Sequence, residues 1–283
     1  MNNKNFAMSA DMISGMCTNF EYCIALTATP FTTDLNQLAK LASLIDGKRY
    51  PNYKKLKHQL ESGLFTIKED PLFFINRSGK ELGRQSEYVG RILWVPAMHY
   101  QTTQAGGNAL MELCKGEGAV RQAEALAGLL TEYHGKRGLV YVNQHSVREW
   151  VLPFLQKEGI RYECINGETK ADDRKRIMYR FNEAKDIDVI ITSVTTAIDL
   201  DCDYVVFYEF TVLIKQMIGR ADRGLKGKTL DIWYVLTKGS WEPYYFLEHI
   251  VKRSELTAKI LEKDIKEVET ISDEVTMAAE AII

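Results

Sequence analysis

The second half of this sequence predicts an α/β fold built on a doubly wound parallel sheet, and three observations carry that expectation. Apolar runs at 139–143, 162–165, 187–192, 204–208 and 230–236 are short enough to be strands. Helical patterns at 146–159, 171–182 and around 214–224 stand between several of them, the alternation that builds strand, crossover helix and parallel strand. Earlier in the chain, the five residues from Tyr22 to Leu26 are apolar without alternation, which suits a strand buried on both faces of a parallel sheet. Loops at the carboxyl ends of parallel strands gather on one edge, where open α/β sheets bind ligands. The polar motifs of this half are therefore expected at or near that edge.

Composition limits what those motifs can mean. At 283 residues the chain is long enough for one large or two modest domains with sizeable cores. With 46% hydrophobic and 26% charged residues it has the make-up of a globular protein. With a net charge of −2 nothing global points to a polyanion partner, so any nucleic-acid contact has to come from a local patch. Cysteines at 17, 23, 114, 164 and 202 form no C-x-x-C pair, so neither a metal site nor a disulfide framework is expected. The segment Met1 to Phe6 lacks the apolar core of a signal peptide, and no run of about 18 apolar residues occurs, so no membrane partner is expected. The expectation is a cytoplasmic protein, or one encoded by a phage or virus and made in a cytoplasm.

Taken in order, Glu21 to Phe31 reads E-Y-C-I-A-L-T-A-T-P-F, a buried strand ended by Pro30 with Thr27 and Thr29 at its carboxyl end. Leucines and alanines recur at helical spacing from Asp34, a candidate cap, to Ile45. A second helix over 51–62 carries Lys54, Lys55, Lys57 and His58, and a cluster of that size is ordinarily a solvated face. Residues 88–95 form a strand closed by Pro96. Alanine- and leucine-rich stretches between His99 and His134 are expected to bridge the two halves, with Gly135 to Gly138 as a hinge by composition. In the second half, Asn166-Gly167-Glu168-Thr169 precedes a helix bearing Lys170, Arg174, Lys175, Arg176 and Arg180, the most basic element of the chain. Gly167 lets a backbone come close, and a helix N-terminus beside Thr169 suits a phosphate. Ile190 to Leu200 is a buried strand ending in Thr192 and Ser193, then a loop that delivers Asp199. Residues 241–265 are expected as a long amphipathic helix or helical pair, followed by an acidic tail.

The most informative stretch is Gln216 to Gly224, Q-M-I-G-R-A-D-R-G. On a helix, Gln216, Arg220 and Arg223 share one face while Ile214, Met217, Ile218 and Ala221 gather on the other. A polar stripe of two guanidiniums and a carboxamide suits phosphate oxygens, because the guanidinium fork matches them.

The pattern Gln-x-x-Gly-Arg-x-x-Arg resembles the sixth motif of superfamily-two helicases and translocases, Swi/Snf-type remodelling ATPases included. L-T-A-T-P-F is similar to their third motif, the Asn166 to Phe181 segment to a nucleic-acid-contacting one, and I-I-T-S-V-T-T-A-I-D-L to their fifth, although Thr196 and Ala197 stand where that motif usually has glycine. The resemblance implies a RecA-like second lobe at 136–240, a remnant of the first lobe at 1–98, a helical bridge at 99–135 and a helical extension at 241–283. It implies that Arg223 is an arginine finger, with Arg220 and Gln216 as catalytic companions and Asp199 and Gly219 on the nucleotide side. Thr27 and Thr29 would couple hydrolysis to lobe movement. Gly167, Thr169, Arg174, Thr192 and Ser193 would touch the nucleic-acid backbone, which positions a strand without reading its sequence.

Such a motor needs a glycine-rich phosphate loop and an acidic pair for magnesium. Gly227-Lys228-Thr229 spells the end of that loop, but Asp222 holds the place of its first glycine and the segment leads into a strand. Asp273-Glu274 lies in the tail. Only 26 residues precede Thr27, so the chain is expected to begin just past the acidic motif. ATP and Mg2+ are accordingly expected to be bound mainly by a missing or separate lobe, with little hydrolysis by this chain alone. The implied partners are a polypeptide carrying the ATP-binding lobe and nucleic acid, with double-stranded DNA favoured by the third motif. The alternative is a non-catalytic module that keeps the lobe's fold to bind nucleic acid or protein.

Overall fold

The computed structural model describes residues 35–64, 86–96, 116–142, 145–193, 198–209, 211, 214–222 and 227–251. The chain divides into two units, Met1–Asn76 with Leu256–Asp264, and Arg77–Glu255 with Ile265–Ile283.

In the first unit, α1 (Leu35–Ile45) and α2 (Tyr53–Glu61) pack together. Leu35, Leu38, Ala39 and Ala42 recur at three- and four-residue spacing, and this stripe meets Tyr50, Leu56 and Leu60. Asn52 caps α2 by accepting the Lys55 N–H at 3.1 Å. The lysines of α2 point outward, Lys54 and Lys55 exposed and Lys57 paired with Glu61 one turn on. Thr27 and Thr29 lie outside the described residues.

The second unit holds a six-stranded sheet. Its strands are β1 (Glu87–Val95), β2 (Gly138–Tyr141), β3 (Tyr162–Ile165), β4 (Val189–Thr192), β5 (Tyr204–Phe207) and β6 (Thr229–Thr237), in the order β1-β6-β5-β2-β4-β3. Every neighbouring pair is parallel. Between them run α3 (Gly116–Glu132), α4 (His145–Lys157), α5 (Ala171–Tyr179, prolonged by a π turn to Ala184) and α6 (Ile214–Ala221), and α7 (Glu242–Phe246) follows β6. The central strands β2, β4 and β5 are buried along their whole length, as strands covered on both faces must be. One core, with Tyr141, Ile177, Phe181, Ile190, Phe207 and Met217, lies on one face. The other, with Leu126, Leu130, Val140, Val151, Leu155 and Val206, lies on the opposite face. The chain winds first toward β3 and then back past β2 to β6, so the switch of direction falls at β2.

This is the RecA-like α/β architecture that the sequence predicts, with two corrections at its front. The strand at 87–95, assigned above to a first-lobe remnant spanning 1–98, pairs along its full length with β6 and is an edge strand of this six-stranded sheet. The stretch assigned to a bridge contributes α3, whose Ala123, Leu126, Ala127 and Leu130 are buried against the sheet, so it is a layer of the lobe. The reason is packing: an amphipathic helix and a half-apolar strand bury their apolar sides in the nearest sheet with room for them.

Gly138 opens β2 where the chain passes against a ring. A Cβ there would stand 1.9 Å from the Tyr204 ring, so the position admits no side chain without displacing a buried tyrosine.

Candidate functional site

The polar residues of the lobe sit at two opposite edges of the sheet. Asn166, Gly167 and Thr169 follow β3, Ser193 follows β4, and Glu209 follows β5, all at the carboxyl edge. The helix α6 also starts from that edge, but it runs antiparallel to the strands and ends at the amino edge. There the Leu200 N–H donates to the Arg220 carbonyl at 2.8 Å and the Cys202 N–H to the Ala221 carbonyl at 3.0 Å, just before β5 begins. The expectation that all motifs of this half share the carboxyl edge is therefore overturned for Asp199 and Arg220. An eight-residue helix rises about 12 Å, enough to cross the sheet from one edge to the other.

At the carboxyl edge, the loop after β3 is closed on itself. Asn166 Oδ1 accepts the N–H groups of Glu168 and Thr169, at 2.9 and 3.0 Å, and the Asn166 N–H donates to Thr169 Oγ1 at 2.9 Å. Arg174 reaches back from α5 and donates to the carbonyls of Thr169 at 3.0 Å and Asn166 at 2.8 Å. Its fork is thus engaged in holding the loop. The other cations of α5 have acidic neighbours: Arg176 pairs with Asp173, Lys175 with Asp172, and Arg180 with both Glu163 and Asp186. The helix that looks most basic in sequence is largely compensated in space. Thr192 is 1% exposed, while Ser193 beside it is half-buried, so of this pair Ser193 presents the accessible hydroxyl.

A buried acidic group closes the same edge. Glu242, at the start of α7, is 4% exposed and accepts the Thr237 N–H at 2.7 Å. Removal from water, with buried Glu209 adding repulsion, pushes its carboxyl up to about 7. Burial likewise raises the Tyr141 phenol, with Glu209 adding to the shift.

At the amino edge, residues 198–203 read Ile-Asp-Leu-Asp-Cys-Asp, and the structure buries Ile198, Leu200 and Cys202 while turning the aspartates outward. Three elements hold this strip. From α5, Met178 sulfur accepts the Asp199 N–H at 3.3 Å, and Asn182 donates to the Asp199 carbonyl at 3.0 Å and accepts the Asp201 N–H at 2.9 Å. Ahead of β2, the Arg137 N–H donates to Asp203 at 2.8 Å and its guanidinium to the Phe181 carbonyl at 2.7 Å and to Asp201 at 3.4 Å. Lys228 also pairs with Asp201. That lysine is the one in Gly-Lys-Thr; it serves the strip and opens β6, so it does not fit a phosphate loop. Burial raises the Cys202 thiol far above its ordinary range, so it remains a neutral packing group.

The arginine helix buries Ile214, Met217 and Ala221 in the core, and leaves Gly219 and Arg220 exposed and Gln216 half-buried. Asp199 is exposed on the adjoining strip, so Asp199, Gly219 and Arg220 come together. Arg223 lies outside the described residues. Sequence reasoning missed Arg137, Asp201 and Asp203, although the alternation at 198–203 was a visible sign of an extended strip with one wet side. It also missed Asp222 and Tyr88, which meet across 134 positions of chain with no local signal.

The sheet order and the helical layers on both of its faces are those of a RecA-like α/β lobe. Residues 121–225 match the model of the helicase conserved C-terminal domain. Among solved structures, the chain is similar to the C-terminal part of the Fun30 ATPase domain, with 19% identity and a TM-score of 0.40. That match spans 46% of each chain. No curated protein matches the sequence. Among the described residues, no helix is long and apolar enough to cross a membrane.

Proposed function

We propose that this chain supplies the trailing lobe of an ATP-driven nucleic-acid translocase, with the nucleotide met at the amino edge and the nucleic-acid backbone at the carboxyl edge. The observation that carries the reading is the continuity of residues 192–203. Ser193 follows β4 at one edge, and the strip at 198–203, only five residues further along the chain, bonds the end of the arginine helix at the other through its backbone.

In this reading the γ-phosphate and its Mg2+ are cradled by another lobe, and Arg223 and Arg220 neutralise charge that develops during phosphoryl transfer. Asp199 and Gly219 border the nucleotide, and Gln216 lies one turn up the arginine helix. Ser193 and the Gly167–Thr169 loop meet the backbone phosphates, with Arg174 keeping that loop in shape. Contact with backbone alone gives weak sequence preference and an affinity that falls steeply with salt. Double-stranded DNA is the substrate we favour, on the resemblance of the Thr27–Thr29 segment to the remodeller third motif.

The test is Arg223→Ala in the chain combined with an ATP-binding lobe that carries the phosphate loop and acidic pair. Turnover should fall by about a thousandfold or more, while binding to a DNA duplex is retained. Unchanged turnover rejects the motor and leaves a non-catalytic binding module, which should instead respond to changes in the 174–180 helix.

A further inference from the structure

Asp222 stands between the two arginines in sequence, yet it faces inward. It is 2% exposed, a burial that a carboxylate tolerates only with partners. Its two oxygens each accept a hydroxyl at 2.7 Å, Oδ1 from Ser86 and Oδ2 from Tyr88. Both donors come from the start of β1, the strand by which the chain enters this unit after the boundary at Arg77. The Asp222 N–H still donates to the Ile218 carbonyl at 3.0 Å, so the residue closes the last turn of α6 as well as anchoring it.

A helix end is normally its loosest part, because its last carbonyls lack partners within the helix. Here the Arg220 and Ala221 carbonyls are taken by the N–H groups of Leu200 and Cys202, and the following carboxylate is held by two hydroxyls. Arg220 is exposed on a backbone tied down on both sides, and Arg223 is the next residue after the anchor. A long cationic side chain loses least entropy on meeting a phosphate when its backbone is already fixed.

We propose that Asp222, through Tyr88 and Ser86, is the positioning residue of Arg220: the clamp sets the direction from which that guanidinium meets a nucleotide and ties that direction to β1. This rests on the motor reading above and names the device that makes Arg220 effective. Asp222 touches no substrate in it.

The experiment compares wild type, Tyr88→Phe, the double variant Ser86→Ala/Tyr88→Phe and Arg223→Ala, each as the full chain with the same ATP-binding lobe. Tyr88→Phe keeps the ring and removes one hydroxyl, so it should fold, which circular dichroism checks. The double variant should lose roughly ten- to a hundredfold in kcat, the scale of a small misplacement of a catalytic group, with the KM for ATP within about twofold. In the full chain alone, the NMR order parameter of the Arg220 Nε–H should fall. A merely structural bond would lower the melting temperature and leave kcat and the order parameter in place. If Arg223→Ala abolishes turnover while the clamp variants keep wild-type kcat or an unchanged order parameter, the clamp is overturned and the motor stands. If Arg223→Ala itself leaves turnover intact, the motor reading falls and this proposal falls with it.

Discussion

The two edges of the sheet use polar residues in opposite ways. At the carboxyl edge, polar groups are spent on one another: Asn166 on Thr169, Arg174 on the loop carbonyls, and Glu242 on the backbone of Thr237. At the amino edge they are spent on the backbone of a single strip, which leaves Asp199 and Arg220 on the outside. The difference teaches that the number of charges on an element says little about what it offers a ligand. The five cations at 170–180 are mostly answered by acids or carbonyls, whereas the arginine helix, with fewer, is braced from behind. Exposed ion pairs of that kind contribute about 0–1 kcal/mol each to stability. Their larger effect is to reduce the positive potential that α5 presents.

Breaking the amino edge should cost the most. Gly138→Ala places a methyl in the volume of the buried Tyr204 ring, and overpacking of this kind costs about 3 kcal/mol. Chemical denaturation should show the midpoint falling with the slope unchanged. Wild-type stability would show that the Tyr204 ring yields and that this edge is softer than its hydrogen bonds imply.

The carboxyl edge should answer to pH. The carboxyl of Glu242 is raised by burial from its ordinary 4.5 to about 7, so the folded state takes up its proton more readily than the unfolded chain. The resulting stability is fully present below about 4.5 and is lost as pH rises to about 7, on the order of 2–3 kcal/mol. Glu242→Gln keeps an acceptor for the Thr237 N–H and removes the charge. Its melting temperature should be flatter than wild type between pH 5 and 8, and no lower at pH 8. Parallel profiles would show that Glu242 titrates normally. Asp188 works in the opposite sense, since its bond from Arg161 holds its carboxyl below the usual range, and the stability it adds is lost as pH falls.

The smallest effect sharpens the comparison. Arg174→Ala frees the carbonyls of Asn166 and Thr169 and should cost about 1 kcal/mol globally. Amide exchange should quicken at 166–169 and stay unchanged at 198–203. Exchange that quickens at both edges would show that they do not behave as separate assemblies.

Local pattern made much of the lobe legible. Uninterrupted apolar runs marked β2, β4 and β5 because a strand buried on both faces must be apolar throughout, and three- and four-residue spacing marked the buried side of α6. The motif resemblance singled out Asp199, Arg220 and the 166–169 loop along the chain. Pattern could not tell which edge each would reach, since that depends on how far a helix runs before the next strand begins. It also could not reveal that β1 and α3 belong to this lobe, because an amphipathic segment does not name the surface that covers it.

By itself, then, the sequence determined the alternation of strands and helices and the composition of the core, both of which are written in neighbours a few residues apart. Only the tertiary structure decided that α5 is compensated, that Arg174 serves its own loop and that Asp222 answers to Tyr88 and Ser86. Those outcomes rest on hydrogen bonds and ion pairs, many of them between residues far apart in the chain. Such bonds are short-ranged and directional, so their partners are settled only when the packed sheet brings the groups within about 3 Å.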